Sequence, residues 1–248
     1  MNGKVCFITG ATSEIGKSIA LRFAKEGCSL ILHYHREKDF IQKIKKEIEE
    51  KYQVNVFLVQ GNLEEEISIC EMVDFCYKKY SQIDFLIHNA ALCIDSLYEE
   101  KTKENFSKIL DVNLIGTFLL SRKMGDKMYA DGGGKIVILT STNGIDKYFP
   151  MSLDYDASKA ALISLMHNLA VQYAPKIAVN AVAPGWVRTQ KEMEGLDEDY
   201  IRSEEEKIFL NRFAEKEEIA NVVYFLCSKD ASYINNTVIR VDGGTYHG

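Results

Sequence analysis

Proline is scarce in this chain: the 248 residues contain only three, Pro150, Pro175 and Pro184. All three fall at the ends of the strands and helices inferred below. The chain also lacks internal repeats, low-complexity stretches and any Pro/Gly-rich linker that would mark a domain boundary. We therefore predict one domain spanning residues 1–248, which is long enough to bury a sizeable core.

Basic residues are few relative to acidic ones: Lys and Arg number 30 against 36 Asp and Glu, which gives a net charge of −6. Surfaces that bind DNA or RNA usually carry a basic excess, so we expect no nucleic-acid partner. No apolar stretch approaches the ~20 residues that a membrane helix needs, so we expect no membrane partner. The apolar run in MNGKVCFITG is also too short for a signal peptide.

The six cysteines are dispersed, and the sequence contains no C-x-x-C pair and no Cys/His cluster with the spacing of a zinc site. We therefore predict no metal ion. Cysteines in apolar settings such as VCFI and YFLCS are typical of buried small side chains. This usage predicts the cytoplasm, which is a reducing compartment.

Short apolar runs alternate with longer helical patterns along the whole chain. The predicted strands cover 5–9, 29–33, 54–59, 83–88, 135–140, 177–183 and 237–241. The predicted helices cover 15–26, 38–51, 64–80, 102–128, 154–174 and 215–228. Strands that are apolar throughout are typical of burial on both faces. The alternation predicts a doubly wound α/β fold, with a seven-stranded parallel sheet and helices on both faces.

A long polar segment interrupts this alternation. Residues 189–213, TQKEMEGLDEDYIRSEEEKIFLNRF, follow the sixth predicted strand and contain no strand pattern. One interpretation is a surface excursion with short helices of its own. The interpretation that we favour is a substrate lid over the carboxyl ends of the strands, where ligands bind in such sheets.

The first predicted strand leads into TGATSEIG, residues 9–16, which has a glycine on each side of the turn into a helix. Glycine permits tight backbone angles and close approach, and a helix N-terminus offers free N–H groups to a phosphate. We predict that Gly10 and Gly16 admit a dinucleotide pyrophosphate and that Thr12 and Ser13 add hydroxyl donors. The alternative is an ordinary turn between a strand and a helix.

The second predicted strand ends in HYHR, residues 33–36. An acidic residue about 20 positions past the loop would bind the ribose 2′-OH of NAD, whereas an arginine suits the 2′-phosphate of NADP. Arg36 lies 20 positions past Gly16, His35 offers a second donor, and no carboxylate occurs in HYHR. This pattern predicts a preference for NADP(H) over NAD(H). The alternative is that Arg36 simply begins a solvated stretch.

Tyr155 and Lys159 stand four residues apart in YDASK, and Ser141 precedes the tyrosine by 14 positions. Residues four apart on a helix share one face, so the ammonium can favour the phenolate and lower the pKa of Tyr155. Such a phenol can exchange a proton with an alcohol or carbonyl oxygen, to which Ser141 could hydrogen-bond. A solvated helix face is the alternative for this short pattern taken alone.

Together these motifs resemble the short-chain dehydrogenase/reductase family over residues 3–244. The similarity lies in seven ordered segments: TGATSEIG, HNAA, VNLIG, LTST, YDASK, NAVAPGWVRT and VDGG. It implies a single-domain Rossmann fold, an NAD(P)-dependent oxidoreductase (EC 1.1.1.-) and, for chains of this size, a homotetramer.

The resemblance also implies residue roles. Tyr155 would be the acid/base, Lys159 would tune it and hold the nicotinamide ribose, and Ser141 would orient the substrate carbonyl. Asn113 would hold a water that links Lys159 to solvent. The implied cofactor-binding set is Gly10, Thr12, Ser13, Ile15, Gly16, His35, Arg36, Asn62, Leu63, Asn89, Ala90, Tyr155, Lys159, Pro184, Gly185, Val187 and Thr189.

The sequence departs from the family pattern at Glu14, which replaces the middle glycine of the cofactor loop. A carboxylate near a pyrophosphate would be repelled, and cofactor binding would then weaken. However, acidic residues are favoured in the first turn of a helix. We therefore expect Glu14 to point to solvent without preventing cofactor binding. In HNAA, we expect His88 to be a packed histidine at a strand end.

The length and the VDGG ending most resemble 3-oxoacyl-[acyl-carrier-protein] reductases of fatty acid biosynthesis. Such an enzyme needs basic residues near its active-site mouth, because the carrier protein is acidic. The available lysines are Lys127, Lys135 and Lys176, with no arginine cluster, and segment 189–213 is strongly acidic. The alternative is therefore a small-molecule carbonyl or sugar reductase or an alcohol dehydrogenase. A catalytically silent NADP-sensing protein is a third hypothesis.

Overall fold

The computed structural model describes residues 1–245 and contains seven strands in one sheet. The strands are β1 (Val5–Ile8), β2 (Ser29–Tyr34), β3 (Val56–Gln60), β4 (Phe85–His88), β5 (Gly134–Leu139), β6 (Ile177–Pro184) and β7 (Val238–Val241). Their order across the sheet is β3-β2-β1-β4-β5-β6-β7, and every neighbouring pair is parallel. The predicted doubly wound α/β Rossmann fold is confirmed.

Nine α-helices lie between these strands within the described residues. They are α1 (Glu14–Lys25), α2 (Lys38–Tyr52), α3 (Glu66–Lys79), α4 (Lys103–Leu110), α5 (Gly116–Ala130), α6 (Leu153–Tyr173), α7 (Gln190–Met193), α8 (Glu198–Glu205) and α9 (Lys216–Cys227). The order reverses direction between β1 and β4. Ligands in open α/β sheets bind beyond the strand ends at such a reversal.

Strand β1 shows why the sheet is buried on both sides. All four of its residues are buried, and alternate residues face opposite layers. Cys6 and Ile8 join a core with α1, α2 and α9, whereas Val5 and Phe7 join a second core with α3, α5 and α6. Burying a side chain such as Phe7 contributes about 1.5–3 kcal/mol, so both layers stabilise the central strands.

The stretch predicted to be helical, 102–128, is helical from Lys103 to Ala130, but it is not one regular α-helix. The chain forms α4 and α5, and a π-helical turn, Asp111–Ile115, separates them. Asn113 lies in this turn and is buried. Such turns often occur at functional sites, because the extra residue redirects backbone groups.

The polar segment 189–213 contains two short helices, α7 and α8. None of the residues in either helix, all of which the structure describes, is buried. The far end of the segment is held by the C-terminal residues: Ile208 bridges to Thr245, and the Phe209 N–H donates to the Gly244 carbonyl at 2.7 Å. Phe213 then returns to the protein interior.

Candidate active site

The loop between β1 and α1 requires glycine at two positions. Gly10 has a φ of +63°, and a Cβ there would lie 2.8 Å from the Cα of Ala90. A Cβ on Gly16 would lie 2.4 Å from the Gly10 carbonyl oxygen. Any side chain would collide with backbone atoms at these distances. The glycines therefore keep the loop tight and leave the first turn of α1 open to a ligand.

Asn89, just after β4, braces this loop. Its side-chain Nδ2 lies 2.9 Å from the carbonyl oxygens of both Thr9 and Gly10 and 3.1 Å from the Ser13 hydroxyl oxygen. In turn, the Thr9 hydroxyl accepts the backbone N–H groups of Asn89 and Ala90 at 3.0 Å. The ends of β1 and β4 are thus fixed together at the carboxyl edge of the sheet.

His33 also holds the loop, and sequence reasoning missed it because the residue lies inside an apolar strand. Its Nδ1 accepts the Gly10 N–H at 3.1 Å, so its Nε2 carries the proton and donates to the Gly61 carbonyl at 3.1 Å. Burial lowers the pKa of His33 to about 4, so the ring is neutral near pH 7. His33 therefore links the cofactor loop to the end of β3.

The start of α1 differs from expectation at Glu14. Ser13 caps the helix, with its hydroxyl accepting the Gly16 N–H at 3.0 Å. We expected Glu14 to point to solvent, and this is wrong. Its carboxylate accepts the Gln190 N–H at 2.5 Å and pairs with Lys216 at 3.1 Å.

The predicted adenosine-side residues lie at the ends of β2 and β3. His35 and Arg36 are exposed just beyond β2. The side chain of Asn62 forms local bonds, accepting the Glu64 N–H at 3.1 Å and donating to the Glu65 carboxylate at 2.8 Å. Leu63 is buried, and its carbonyl oxygen would lie 2.5 Å from a Cβ on Gly116.

Tyr155, Lys159 and Ser141 come together beyond the end of β5. Ser141 follows this strand by two residues, and Tyr155 lies in the first turn of α6. The Lys159 Nζ lies 5.2 Å from the centroid of the Tyr155 ring and donates to the Leu139 carbonyl at 2.8 Å. Lys159 is therefore anchored to the strand that presents Ser141.

The pKa values of this pair differ from the expectation based on spacing. Burial raises the pKa of Tyr155 well above its usual value, and Cys93 and Glu192 act in the same direction. A hydrogen bond with Ser141 lowers it more weakly. Burial also lowers the pKa of Lys159 to about 8. Desolvation outweighs the attraction of the ammonium for a phenolate, so Tyr155 stays a neutral proton donor at pH 7.

Asn113 bridges the π-helical turn to the segment after β4. Its Oδ1 accepts the Leu92 N–H at 2.7 Å, and its Nδ2 donates to the Leu92 carbonyl at 2.9 Å and to the Ser158 hydroxyl at 3.0 Å. Its side-chain amide is thus engaged by protein atoms. Ser158 directly precedes Lys159 on α6, so Asn113 lies beside the Tyr155–Lys159 face.

Asp156 is a further site residue that sequence reasoning missed. It is buried, and its carboxylate accepts the Asn143 side-chain N–H at 2.7 Å, the Phe149 N–H at 2.9 Å and the Ser152 hydroxyl at 3.0 Å. These bonds fix the loop after Ser141 to the first turn of α6. Only the alternation of Asp154, Tyr155 and Asp156 in the sequence could have suggested such a role.

The segment after β6 lies at the same carboxyl edge of the sheet, next to the end of β5. Pro184 ends the strand, and the Gly185 N–H donates to the Val241 carbonyl at 3.1 Å. Val187 bridges to Ala214. Thr189 is buried and caps α7, where its hydroxyl accepts the Glu192 N–H at 3.2 Å.

The three lysines considered for a carrier protein lie elsewhere. They belong to the end of α5, the start of β5 and the turn before β6, which is the amino edge of the parallel sheet. Lys135 donates to the Ser228 and Ala231 carbonyls, and Lys176 donates to the Tyr129 carbonyl. The ammonium of Lys127 lies 4.9 Å from the centre of the Tyr77 ring. These lysines therefore do not surround the site.

Residues 1–245 contain neither a cluster of potential metal ligands nor a membrane-spanning helix. No group of three or more His, Cys, Asp or Glu side chains is arranged there to hold a metal ion. No helix in this range is long and apolar enough to cross a membrane. All six cysteines are free.

Comparison with known proteins identifies this arrangement. A family profile described as "Enoyl-(Acyl carrier protein) reductase" matches residues 10–246. The chain is a short-chain dehydrogenase/reductase. It is 36% identical to the 3-oxoacyl-[acyl-carrier-protein] reductase FabG of Aquifex aeolicus, across 99% of this chain and 98% of that protein. The FabG of Thermotoga maritima is 35% identical, across 98% of each chain.

Solved structures of the family have the same fold. L-sorbose reductase from Gluconobacter frateurii, complexed with NADPH and L-sorbose, superposes with a TM-score of 0.92 at 29% identity, covering 99% of this chain and 97% of that one. Levodione reductase superposes with a TM-score of 0.91 at 29% identity, covering 98% and 97%. Like these relatives, the chain is an oxidoreductase of the nicotinamide-dependent type.

The site fits a nicotinamide dinucleotide. The glycines of the loop leave space that any Cβ would fill, at the N-terminus of α1. Exposed cationic and imidazole side chains lie beyond β2, on the same edge of the sheet. Tyr155 and Lys159 lie beyond β5 on this edge, across the reversal in strand order.

Proposed function

We propose that this short-chain dehydrogenase/reductase uses NADPH to reduce a ketone to a secondary alcohol, with Tyr155 as the proton donor. The observation that carries the proposal is the meeting of Tyr155, Lys159 and Ser141 at the carboxyl edge of the sheet. The glycine-bounded loop opens on the same edge. A general acid and a hydride donor are the two groups that carbonyl reduction needs.

The protein residues divide the work as follows. Ser141 donates a hydrogen bond that orients the carbonyl oxygen, and Tyr155 gives its proton to that oxygen as negative charge develops there. NADPH, when bound, supplies the hydride that reaches the carbonyl carbon. The raised pKa keeps Tyr155 protonated before the transfer. Lys159 stabilises the phenolate that remains and holds the ribose, and Asn113 supports the path that returns a proton.

The remaining residues of the predicted set hold the dinucleotide. Gly10, Thr12, Ser13, Ile15 and Gly16 surround the pyrophosphate. Asn62, Leu63, Asn89 and Ala90 border the adenosine half, and Pro184, Gly185, Val187 and Thr189 border the nicotinamide. His35 and Arg36 meet the 2′-phosphate, which gives the preference for NADPH. Support comes from their exposure beyond β2 and from the absence of a carboxylate in HYHR.

Two substrate classes remain. The similarity to FabG proteins supports a 3-oxoacyl thioester carried by an acyl carrier protein. The charge distribution supports a small carbonyl compound, because segment 189–213 is acidic and the candidate lysines lie at the amino edge of the sheet. An acidic carrier would be repelled at such a mouth. We favour the carrier-free ketone on this observation.

The proposed assembly is a homotetramer. Apolar and small side chains lie exposed on the outer faces of α5 and α6, including Phe118, Ala157, Ala160 and Val171. Exposed apolar side chains on two long helices favour helix-to-helix packing between copies.

The decisive experiment measures NADPH oxidation by the purified chain against a panel of ketones that includes an acetoacetyl thioester. Tyr155→Phe should lower kcat by at least about 100-fold, because general acid catalysis is typically worth 10²–10⁴. NADPH should still bind, since the ring remains. Tyr233→Phe is the matched control: Tyr233 is fully exposed, so its activity should equal that of the wild type.

Two results would overturn the proposal. If the Tyr155→Phe variant turned over ketone at the wild-type rate, another group would have to donate the proton. NADPH binding without oxidation of any ketone in the panel would instead support the silent sensor.

A further inference from the structure

Glu14 joins the starts of three helices. It is the first residue of α1, its Oε1 accepts the N–H of Gln190 at the start of α7, and its Oε2 pairs with Lys216 at the start of α9. The distances are 2.5 Å and 3.1 Å. The position is the one where the family pattern has a glycine, which could make neither contact.

The contact of Glu14 with Gln190 lies at the start of segment 189–213, just after residues that pair with Ala214. Before it, the Arg188 N–H donates to the Ala214 carbonyl at 2.8 Å and Val187 bridges to Ala214. After it comes α7, whose residues are all described and none of which is buried. The Gln190 N–H is thus the first backbone group of the segment beyond Thr189, and Glu14 binds it.

The electrostatics favour this arrangement. A carboxylate is stabilised at the N-terminus of α1, and the ammonium of Lys216 partly offsets its charge. A hydrogen bond to an ionised acceptor is also stronger than one between neutral groups. The Glu14 carboxylate is therefore bound to the start of the lid and to α9, while 35% of its side chain stays exposed.

We propose that Glu14 is a positioning residue that holds the first turn of the lid, and with it Thr189, against the cofactor loop. This inference rests on the proposed function, in which Thr189 borders the nicotinamide, and on the proposal that segment 189–213 is a substrate lid. Loss of the contact should free the lid start and weaken ketone binding, while Tyr155 and Lys159 keep their geometry.

The test combines hydrogen exchange with steady-state kinetics on the full chain. In Glu14→Ala, the Gln190 amide should exchange about tenfold faster, as expected for loss of one hydrogen bond to a charged group. The KM for the ketone should rise by about the same factor, with kcat within about twofold. Glu14→Gln keeps an acceptor oxygen, so exchange and KM should return to within about threefold of the wild type.

Glu217→Gln is the matched control, because Glu217 is an exposed carboxylate in the first turn of α9 beside Lys216. It should leave both readouts unchanged. The inference is overturned if Glu14→Ala matches the wild type in exchange and KM, or if Glu217→Gln reproduces its effects. Failure of the proposed function looks different: the wild type would oxidise no NADPH with any ketone, whatever the exchange shows.

Discussion

Lys101 and Asp154 form an ion pair in the protein interior, with 2.8 Å between Nζ and Oδ1 and side-chain exposures of 6% and 0%. Lys101 also donates to the Ile94 carbonyl at 2.7 Å, and Asp154 accepts the Tyr155 N–H at 3.0 Å. The pair therefore ties the segment after β4 to the turn of α6 that presents Tyr155. Neither residue belongs to the catalytic set.

Lys101→Met should lower the free energy of unfolding by about 3–5 kcal/mol, because it leaves the Asp154 carboxylate buried without its partner. Urea unfolding of the purified variant measures this loss. Lys46→Met is the matched control, since Lys46 and Glu50 form an exposed pair with side-chain exposures of 75% and 67%. It should cost less than about 0.5 kcal/mol. Equal losses in the two variants would contradict the importance of burial.

Much of the fold was predictable because short apolar runs recur along the sequence at the positions of the buried strands. The strands are apolar throughout and alternate with longer helical patterns, and this alternation alone predicted seven parallel strands. The catalytic tyrosine and lysine candidates were found because four residues make one helical turn. The π-helical turn at Asp111–Ile115 was missed, since the helical pattern runs through it without a proline or a cap.

Other features depend on contacts that no local pattern contains. Glu14 and Gln190 are separated by 176 positions, and the Lys101–Asp154 pair by 53. His33 has the sequence context of a strand residue, yet both its ring nitrogens bind backbone groups of other segments. The raised pKa of Tyr155 could not be predicted from spacing either, because it depends on how completely the folded chain excludes water.

His33 should make the folded chain sensitive to acid. Its folded pKa of about 4 lies below the unfolded value of about 6.5. Between these values the unfolded chain binds the additional proton, so stability falls as pH decreases, by about 1.4 kcal/mol per pH unit from this group. Urea unfolding at several pH values measures the slope, which His88, with a pKa of about 3, should steepen further.

His33→Gln should make this slope shallower by about 1.4 kcal/mol per pH unit between roughly pH 6.5 and 4. The control is Ile31→Val, because Ile31 is a buried residue of the same strand without a titratable group; this variant should lose stability equally at every pH and keep the slope. If wild type and His33→Gln showed parallel pH profiles, the neutral buried state of His33 would be wrong.

Arg36 should set the cofactor preference. Arg36→Ala should raise the KM for NADPH by about 10–100-fold, because it removes one charge-assisted hydrogen bond to the 2′-phosphate. Such a bond contributes about 1.5–3 kcal/mol. The KM for NADH should change little, because NADH has no 2′-phosphate. Lys43→Ala on α2 removes an exposed positive charge of the same region and should affect neither KM. A wild-type KM for NADH at or below that for NADPH would refute the preference.

The acidic segment 189–213, which we propose as the substrate lid, should give the enzyme no preference for a substrate on an acidic carrier protein. Its carboxylates are Glu192, Glu194, Asp197, Glu198, Asp199 and Glu204–Glu206. We expect kcat/KM for an acetoacetyl thioester on a carrier protein to be no higher than for the same thioester on pantetheine. The kcat/KM for the carrier-bound thioester should also rise with added salt. At an ionic strength of 0.1 M, charges more than about 10 Å apart are largely screened, so the repulsion between the two acidic surfaces weakens. A preference for the carrier-bound thioester that decreases with salt would instead show that the enzyme attracts the carrier protein. The substrate would then be a 3-oxoacyl thioester on an acyl carrier protein.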